Sequence, residues 1–184
     1  AGLGIGSTDA DYEAAGARIA DTPEEIFAEA DMIVKVKEPQ AVERKMLRED
    51  QILFTYLHLA PDPEQTKDLI DSGAVCIAYE TVVDSNGGLP LLAPMSQVAG
   101  RMSIQAGAHC LERAQGGKGI LLGGVPGVAP AEVVVIGGGV VGENAIYMAL
   151  GMAAKVTVLD RNVDALRNLT TRFGPALTTV YSTR

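Results

Sequence analysis

Residues 132–160 read EVVVIGGGVVGENAIYMALGMAAKVTVLD. A run of β-branched residues meets three glycines, then a stretch of small and apolar residues, then a second apolar run closed by an acid. This is the pattern of strand, tight turn, helix and strand, hence a parallel βαβ unit. Gly137, Gly139 and Gly142 stand in GxGxxG spacing directly after the first strand. Glycines there let the backbone turn sharply and approach a pyrophosphate, which the N–H groups at the start of the helix would meet. Asp160, eighteen residues past Gly142, closes the second strand where a carboxylate accepts hydrogen bonds from an adenosine ribose. An acid at that place repels a 2′-phosphate, so NAD is expected rather than NADP, although Arg161 works against the preference. The alternative is that the glycines serve only helix–strand packing and that Asp160 merely caps the next helix.

Outward from this unit the chain alternates between helical and strand patterns. After it, residues 162–174 (NVDALRNLTTRFG) predict a helix and 176–182 (ALTTVYS) a strand. Before it, residues 21–30 (DTPEEIFAEA) predict a helix capped by Thr22, with Pro23 in its first turn and Glu25 completing a capping box. Strands are expected at 32–37 (MIVKVK), 52–58 (ILFTYLH) and 74–79 (AVCIAY), with helices at 40–47 and 62–73 between them. The Gly/Pro-rich stretch 84–94 (DSNGGLPLLAP) is the expected domain boundary. Residues 95–115 carry small and apolar residues at helical spacing and predict a long buried helix crossing between the domains. The fold class is α/β with parallel sheets.

Composition excludes several functions. The chain has 184 residues, 47% of them apolar, so a real core is within reach. A formal charge of −8 without a Lys/Arg cluster argues against nucleic acid or an anionic membrane surface as partner. No run approaches the roughly 18 apolar residues a membrane span needs, and no secretory signal is visible, so a cytoplasmic protein is expected. Cys76 and Cys110 lie in apolar surroundings outside any CxxC spacing and are expected as two buried thiols. Two His and two Cys make a structural zinc site a poor expectation.

Three successive strands of the first half end in functional side chains: Lys37, His58 and Glu80. In open α/β sheets ligands sit beyond the carboxyl ends of the strands, so these three are candidates for one rim. Imidazole exchanges protons near neutral pH, an ammonium holds a carboxylate, and a carboxylate can orient either. The plainer alternative is three ordinary polar strand ends. His109 in the long helix is expected to be a packing or interface residue, and Tyr56 and Tyr79 core residues.

In order and spacing, MIVKVKEP (32–39), LFTYLHLA (53–60), IAYETV (77–82), residues 89–112, GGKGILLGGVPGV (116–128) and VVVIGGGVVGENA (133–145) resemble alanine dehydrogenase. The resemblance covers essentially the whole chain. It implies two Rossmann-like domains, both incomplete here: a substrate domain over 1–91 and an NAD-binding domain over 92–184. It further implies that Lys37 binds the substrate carboxylate and that His58 is the catalytic acid/base. Met95, Ser96, the three glycines, Asp160 and Ser182 would contact NAD, while Glu80 has a less defined role. The implied reaction is oxidative deamination of L-alanine to pyruvate and ammonia and its reverse, in a homo-oligomer, a hexamer when intact.

The departures are specific. The family's N-terminal substrate-binding arginine and its later catalytic aspartate have no counterpart here, and a basic residue often found five positions after the ribose-binding acid is Ala165. The first two gaps suggest the central portion of a longer polypeptide, with little or no turnover on its own. Three rivals remain: the NAD-binding domain of a proton-translocating transhydrogenase, which needs no substrate-side acid/base; a lysine or saccharopine dehydrogenase; and a non-catalytic NAD-binding module, for which a blank rim is expected.

Overall fold

The computed structural model describes residues 2–183 and divides between Leu89 and Pro90 into two compact units. The first contains α1 (Asp9–Ala14), α2 (Pro23–Glu29), β1 (Met32–Val34), α3 (Ala41–Arg44), β2 (Ile52–Thr55), α4 (Pro63–Ser72) and β3 (Val75–Ala78). Its sheet has the order β1-β2-β3 with every pair parallel, Ile33 opposite Leu53 and Leu53 opposite Cys76. One face is covered: Ile33 and Leu53 pack with Phe27, Leu47, Leu57 and Leu69. Met32, Val34, Val75 and Ile77, on the alternate positions, stay exposed.

Local chemistry sets the helix starts. The Thr22 hydroxyl accepts the Glu25 N–H at 3.3 Å and Pro23 opens α2, as expected. The reciprocal half of the expected capping box is not formed, because the Glu25 carboxylate turns 3.3 Å from the Arg18 guanidinium instead. Asp62 caps α4 through the Gln65 N–H, and Gly73 ends it at φ 67°. The buried Arg44 ties α3 to α4, donating to Asp68 at 2.7 Å and to the Pro39 carbonyl at 3.3 Å.

The strands are shorter than their apolar runs. β2 ends at Thr55, and three residues on His58 adopts φ 45°, a left-handed conformation no strand can continue through. β3 stops at Ala78 because Tyr79–Thr81 wind into a 3₁₀ turn. β1 stops at Val34, although Lys35 and Val36 still trade main-chain hydrogen bonds with Phe54 and Tyr56.

The second unit contains α5 (Ala93–Cys110), β4 (Glu132–Ile136), α6 (Val140–Gly151), β5 (Lys155–Asp160), α7 (Val163–Phe173) and β6 (Leu177–Tyr181). Its sheet is again fully parallel, in the order β4-β5-β6, with Val135 opposite Val158 and Asp160 opposite Tyr181. Ile146, Ala149, Val156, Val158 and Leu169 form the centre of its core. Thus the α/β class with two parallel Rossmann-like sheets holds.

Other expectations need correction. α5 belongs wholly to the second unit and only Gly100 and Ile104 on it are buried. Its small residues mark a close crossing with α6 rather than burial all round. Cys110 is exposed at the last turn of α5, and Cys76 is half-buried, its thiol pushed up by desolvation. His109 is exposed, its Nδ1 3.4 Å from Glu112, so the packing half of the packing-or-interface expectation does not hold.

The crossing generates a prediction of sign. In an exposed helix, Gly→Ala would stabilise by about 1 kcal/mol. At Gly100 a Cβ would overlap the Val141 carbonyl oxygen of α6 and lie 2.8 Å from the Asn144 Cβ. Overpacking of this kind costs roughly 1–3 kcal/mol. Gly100→Ala should therefore lower the denaturant midpoint, and a midpoint equal to or above that of the parent chain would contradict the packing.

Candidate functional site

Parallel pairing puts the carboxyl ends of β1, β2 and β3 on one edge of the first sheet, and Lys37, His58 and Glu80 follow those ends. Lys37 is exposed and its ammonium has no hydrogen bond or ion pair among the described residues, whereas its neighbour Lys35 is bound to Glu43 at 2.5 Å. The main chain at Lys37 is fixed from below, since the fully buried Thr55 donates its hydroxyl to the Lys37 carbonyl at 2.9 Å.

The His58 imidazole is 44% exposed. It stacks on the buried Tyr56 ring at 5.8 Å and 7°, and Tyr56 in turn meets Tyr79 edge-on at 5.0 Å. Nε2 lies 3.5 Å from Glu38 and Nδ1 4.0 Å from Glu80. One face of the ring is thus supported and each nitrogen has a carboxylate within reach, while part of the ring stays open to a ligand.

The main chain beneath this ring is held on both sides. The Glu80 carboxylate accepts the His58 N–H at 2.6 Å and the Leu57 N–H at 3.2 Å. The buried Gln65 amide donates to the Leu57 carbonyl at 2.5 Å. A left-handed conformation at a non-glycine residue costs about 1–2 kcal/mol. Hydrogen bonds to a charged group contribute roughly 1.5–3 kcal/mol each, enough to offset it. Burial pushes the Glu80 carboxyl up, but the His58, Glu80 and Leu57 N–H groups and the nearby imidazole together hold it below the usual carboxylate range. Glu80 stays ionised at neutral pH.

Sequence patterns did not single out Glu38, Thr55 or Gln65. Glu38 had a signal in its adjacency to Lys37. Gln65 had one in its position four residues before the buried Leu69, on the core-facing stripe of α4.

In the second unit the glycine turn leads from β4 into α6. Gly137 takes φ 94°, and its N–H donates to the Leu159 carbonyl at 2.8 Å. Gly142 permits the turn to close, since a Cβ there would overlap the Gly137 carbonyl. Gly139 is the N-cap of α6 and supplies no side-chain bond to its first N–H groups. Gly138, which the spacing rule passed over, donates its N–H to Asp160 at 2.5 Å.

Asp160 also accepts the Asn162 N–H at 2.7 Å. These N–H groups, Asn162 before Gly138, with Arg161 adding a smaller effect, hold its carboxyl below the usual range. The cap of α7 is Asn162, which accepts from Asp164 and Ala165, so Asp160 is not serving as a helix cap. Ser182 follows β6 and donates its N–H to the Asp160 carbonyl at 2.9 Å. Ser96, on the first turn of α5, lines a mainly apolar cleft of about 780 Å³ together with Ile104, Gly137, Gly139 and Gly142. Met95 is exposed and lies outside that lining. Among the described residues no cluster of His, Cys, Asp or Glu could hold a metal ion, and no helix is long and apolar enough to cross a membrane.

Comparison with known proteins places the chain in a family. Residues 1–99 match the family described as alanine dehydrogenase/PNT, N-terminal domain, and residues 103–184 match alanine dehydrogenase/PNT, C-terminal domain. An alanine dehydrogenase of Halomonas elongata is 62% identical over 183 residues, covering 100% of this chain and 49% of that protein. One from Mycobacterium tuberculosis is 56% identical, covering 99% and 50%. A solved L-alanine dehydrogenase superposes with TM-score 0.86 at 50% identity, over 99% of this chain and 50% of its own. A transhydrogenase from Sinorhizobium meliloti shares the fold at TM-score 0.74 and 24% identity, over 97% of this chain and 52% of its own. The chain spans about half the length of the relatives it matches. With both family models matching in succession, the chain belongs to the alanine dehydrogenase/PNT family.

Proposed function

We propose that this chain is part of an NAD-dependent L-alanine dehydrogenase, which interconverts L-alanine with pyruvate and ammonia. The observation that carries it is the His58 imidazole at the carboxyl end of β2, seated on Tyr56 and within reach of two carboxylates. A nucleotide-binding module without substrate chemistry has no need of such a group, and neither does a transhydrogenase passing hydride between nucleotides. Relatives bearing the name alanine dehydrogenase, at 51–62% identity, favour the same choice. The reading extends to a cytoplasmic hexamer, which the family resemblance implies.

The second unit fits the cofactor. A Cβ at Gly137 or Gly139 would meet nothing within 4 Å, so the turn is an open cradle, and the uncapped start of α6 faces it with N–H groups suited to a pyrophosphate. Asp160 and Ser182, side by side at the ends of β5 and β6, would take the adenosine ribose, with Ser96 and Met95 from the first turn of α5 as further contacts. NAD, when bound, supplies the acceptor for the hydride leaving the alanine Cα.

The first unit supplies charge and proton handling. Lys37, with no internal partner among the described residues, would pair with the substrate carboxylate. His58 would take the proton from the substrate nitrogen or attacking water in one direction and return it in the other, a role typically contributing ~10²–10⁴ in rate. Substrate domain 1–91 and NAD-binding domain 92–184 are the corresponding division of labour.

Two substitutions test the reading in a protein of full family length that carries this chain. Asn tolerates left-handed backbone and approximates imidazole in size but exchanges no proton near neutrality. His58→Asn should fold and bind NADH yet lose ~10²-fold or more in kcat, together with the pH limb due to imidazole. A variant with a lowered Tm and an intact kcat would make His58 a structural residue. Separately, Asp160→Ser should weaken NAD use and narrow the NAD/NADP ratio of kcat/KM, since Arg161 can then meet a 2′-phosphate. An unchanged ratio would remove Asp160 from cofactor selection.

A further inference from the structure

The Leu57–His58 peptide unit is the hinge point between strand β2 and the imidazole, and both of its polar ends are taken. Its carbonyl accepts from the Gln65 amide of α4 at 2.5 Å, and its N–H donates to the Glu80 carboxylate at 2.6 Å. A planar trans peptide held at both ends cannot rotate without breaking both bonds, so its orientation is fixed. From this fixed peptide the chain leaves through His58 at φ 45°. We infer that Gln65 and Glu80 are positioning residues: together they lock this peptide and thereby aim the His58 imidazole out of the sheet edge.

Three further observations support a locked main chain rather than a merely filled space. Gln65 is only 2% exposed, and its own N–H is held by Asp62, so its amide is delivered from a fixed helix start. Glu80 sits in the 3₁₀ turn that ends β3, and the Leu57 N–H bonds to both of its oxygens, which fixes the carboxylate plane. Tyr56, immediately before the locked peptide, stacks on the imidazole and limits its remaining freedom. Relaxing the peptide would let the backbone at 58 leave the left-handed region, which is unfavourable for an L-residue, and carry the imidazole away from its place.

The inference rests on the acid/base role proposed for His58, and the test separates the two. In a full-family-length protein carrying this chain, Gln65→Met keeps bulk but cannot donate, and Glu80→Met cannot accept. Glu80→Gln retains a carbonyl oxygen able to take both N–H groups. Q65M and E80M should each lower kcat ~10-fold or more with KM for NAD unchanged, because small misplacements of a reacting group can cost up to ~10²-fold. E80Q, which keeps one accepting oxygen but loses the charge and the second acceptor, should retain more of the parent kcat than E80M. In the H58N background neither Q65M nor E80M should cause further loss, since there is no imidazole left to aim. Equal fold losses in both backgrounds, or a drop in Tm with kcat intact, would overturn the positioning role. An E80Q enzyme as impaired as E80M would also overturn it, pointing to the carboxylate charge acting directly. H58N with near-parent kcat would remove the acid/base role and the positioning role with it. If Q65M is insoluble, the E80M and E80Q pair decides alone.

Discussion

Parallel strand pairing is the constraint on which the other features depend. When every strand of a sheet runs the same way, every carboxyl end arrives at one edge, and each strand must be followed by a crossover before the next can pair. In the first unit α3 and α4 make those crossovers, and Lys37, His58 and Glu80 are carried to the same edge. In the second unit α6 and α7 do the same for the glycine turn, Asp160 and Ser182. The polar groups can therefore gather without entering the apolar layers, where they would need partners.

The helices return something to the edge they serve. α4 is a crossover, yet its Gln65 reaches across to the Leu57 carbonyl, and α3 carries Glu43, which pairs with Lys35 while Lys37 stays exposed. In the second unit α7 begins with Asn162 as its own cap, which leaves Asp160 for the turn. A residue that looks structural in one element thus decides which neighbour is available for chemistry in another. Here the energetics of main-chain satisfaction and the placement of functional groups cannot be separated.

Much of this was legible beforehand because it depends on short spacing. GxGxxG and the acid eighteen residues later fall within one βαβ unit, where the geometry leaves little choice. The class of the first unit followed from alternating apolar runs and helix caps. What local spacing does not encode depends on tertiary approach. The runs 32–37, 52–58 and 74–79 read as strands to their ends, but left-handed backbone at His58 and a 3₁₀ turn after Ala78 cut them short. Gly138 carried no signal beyond being a third glycine, since its donation to Asp160 requires β4 and β5 to be paired first. Cys110 looked buried by composition, whereas α5 is small-residue-rich because it passes close to α6 at Gly100.

The bond between Gly138 and Asp160 has a bearing on how a nucleotide would be received. It joins the glycine turn proposed for phosphate to the acid proposed for sugar, so two regions separated by the length of a helix in sequence are tied directly to each other. Such prior ordering leaves less freedom to be lost on association, and more of the gross contact energy survives as affinity. The carboxylate, already accepting from two N–H groups, would meet ribose hydroxyls as added acceptor capacity rather than as an unsatisfied charge. Recognition of the sugar, on the proposed function, would then work as selection among ligands by fit at little entropic cost, rather than as a strong pull on any ligand that arrives.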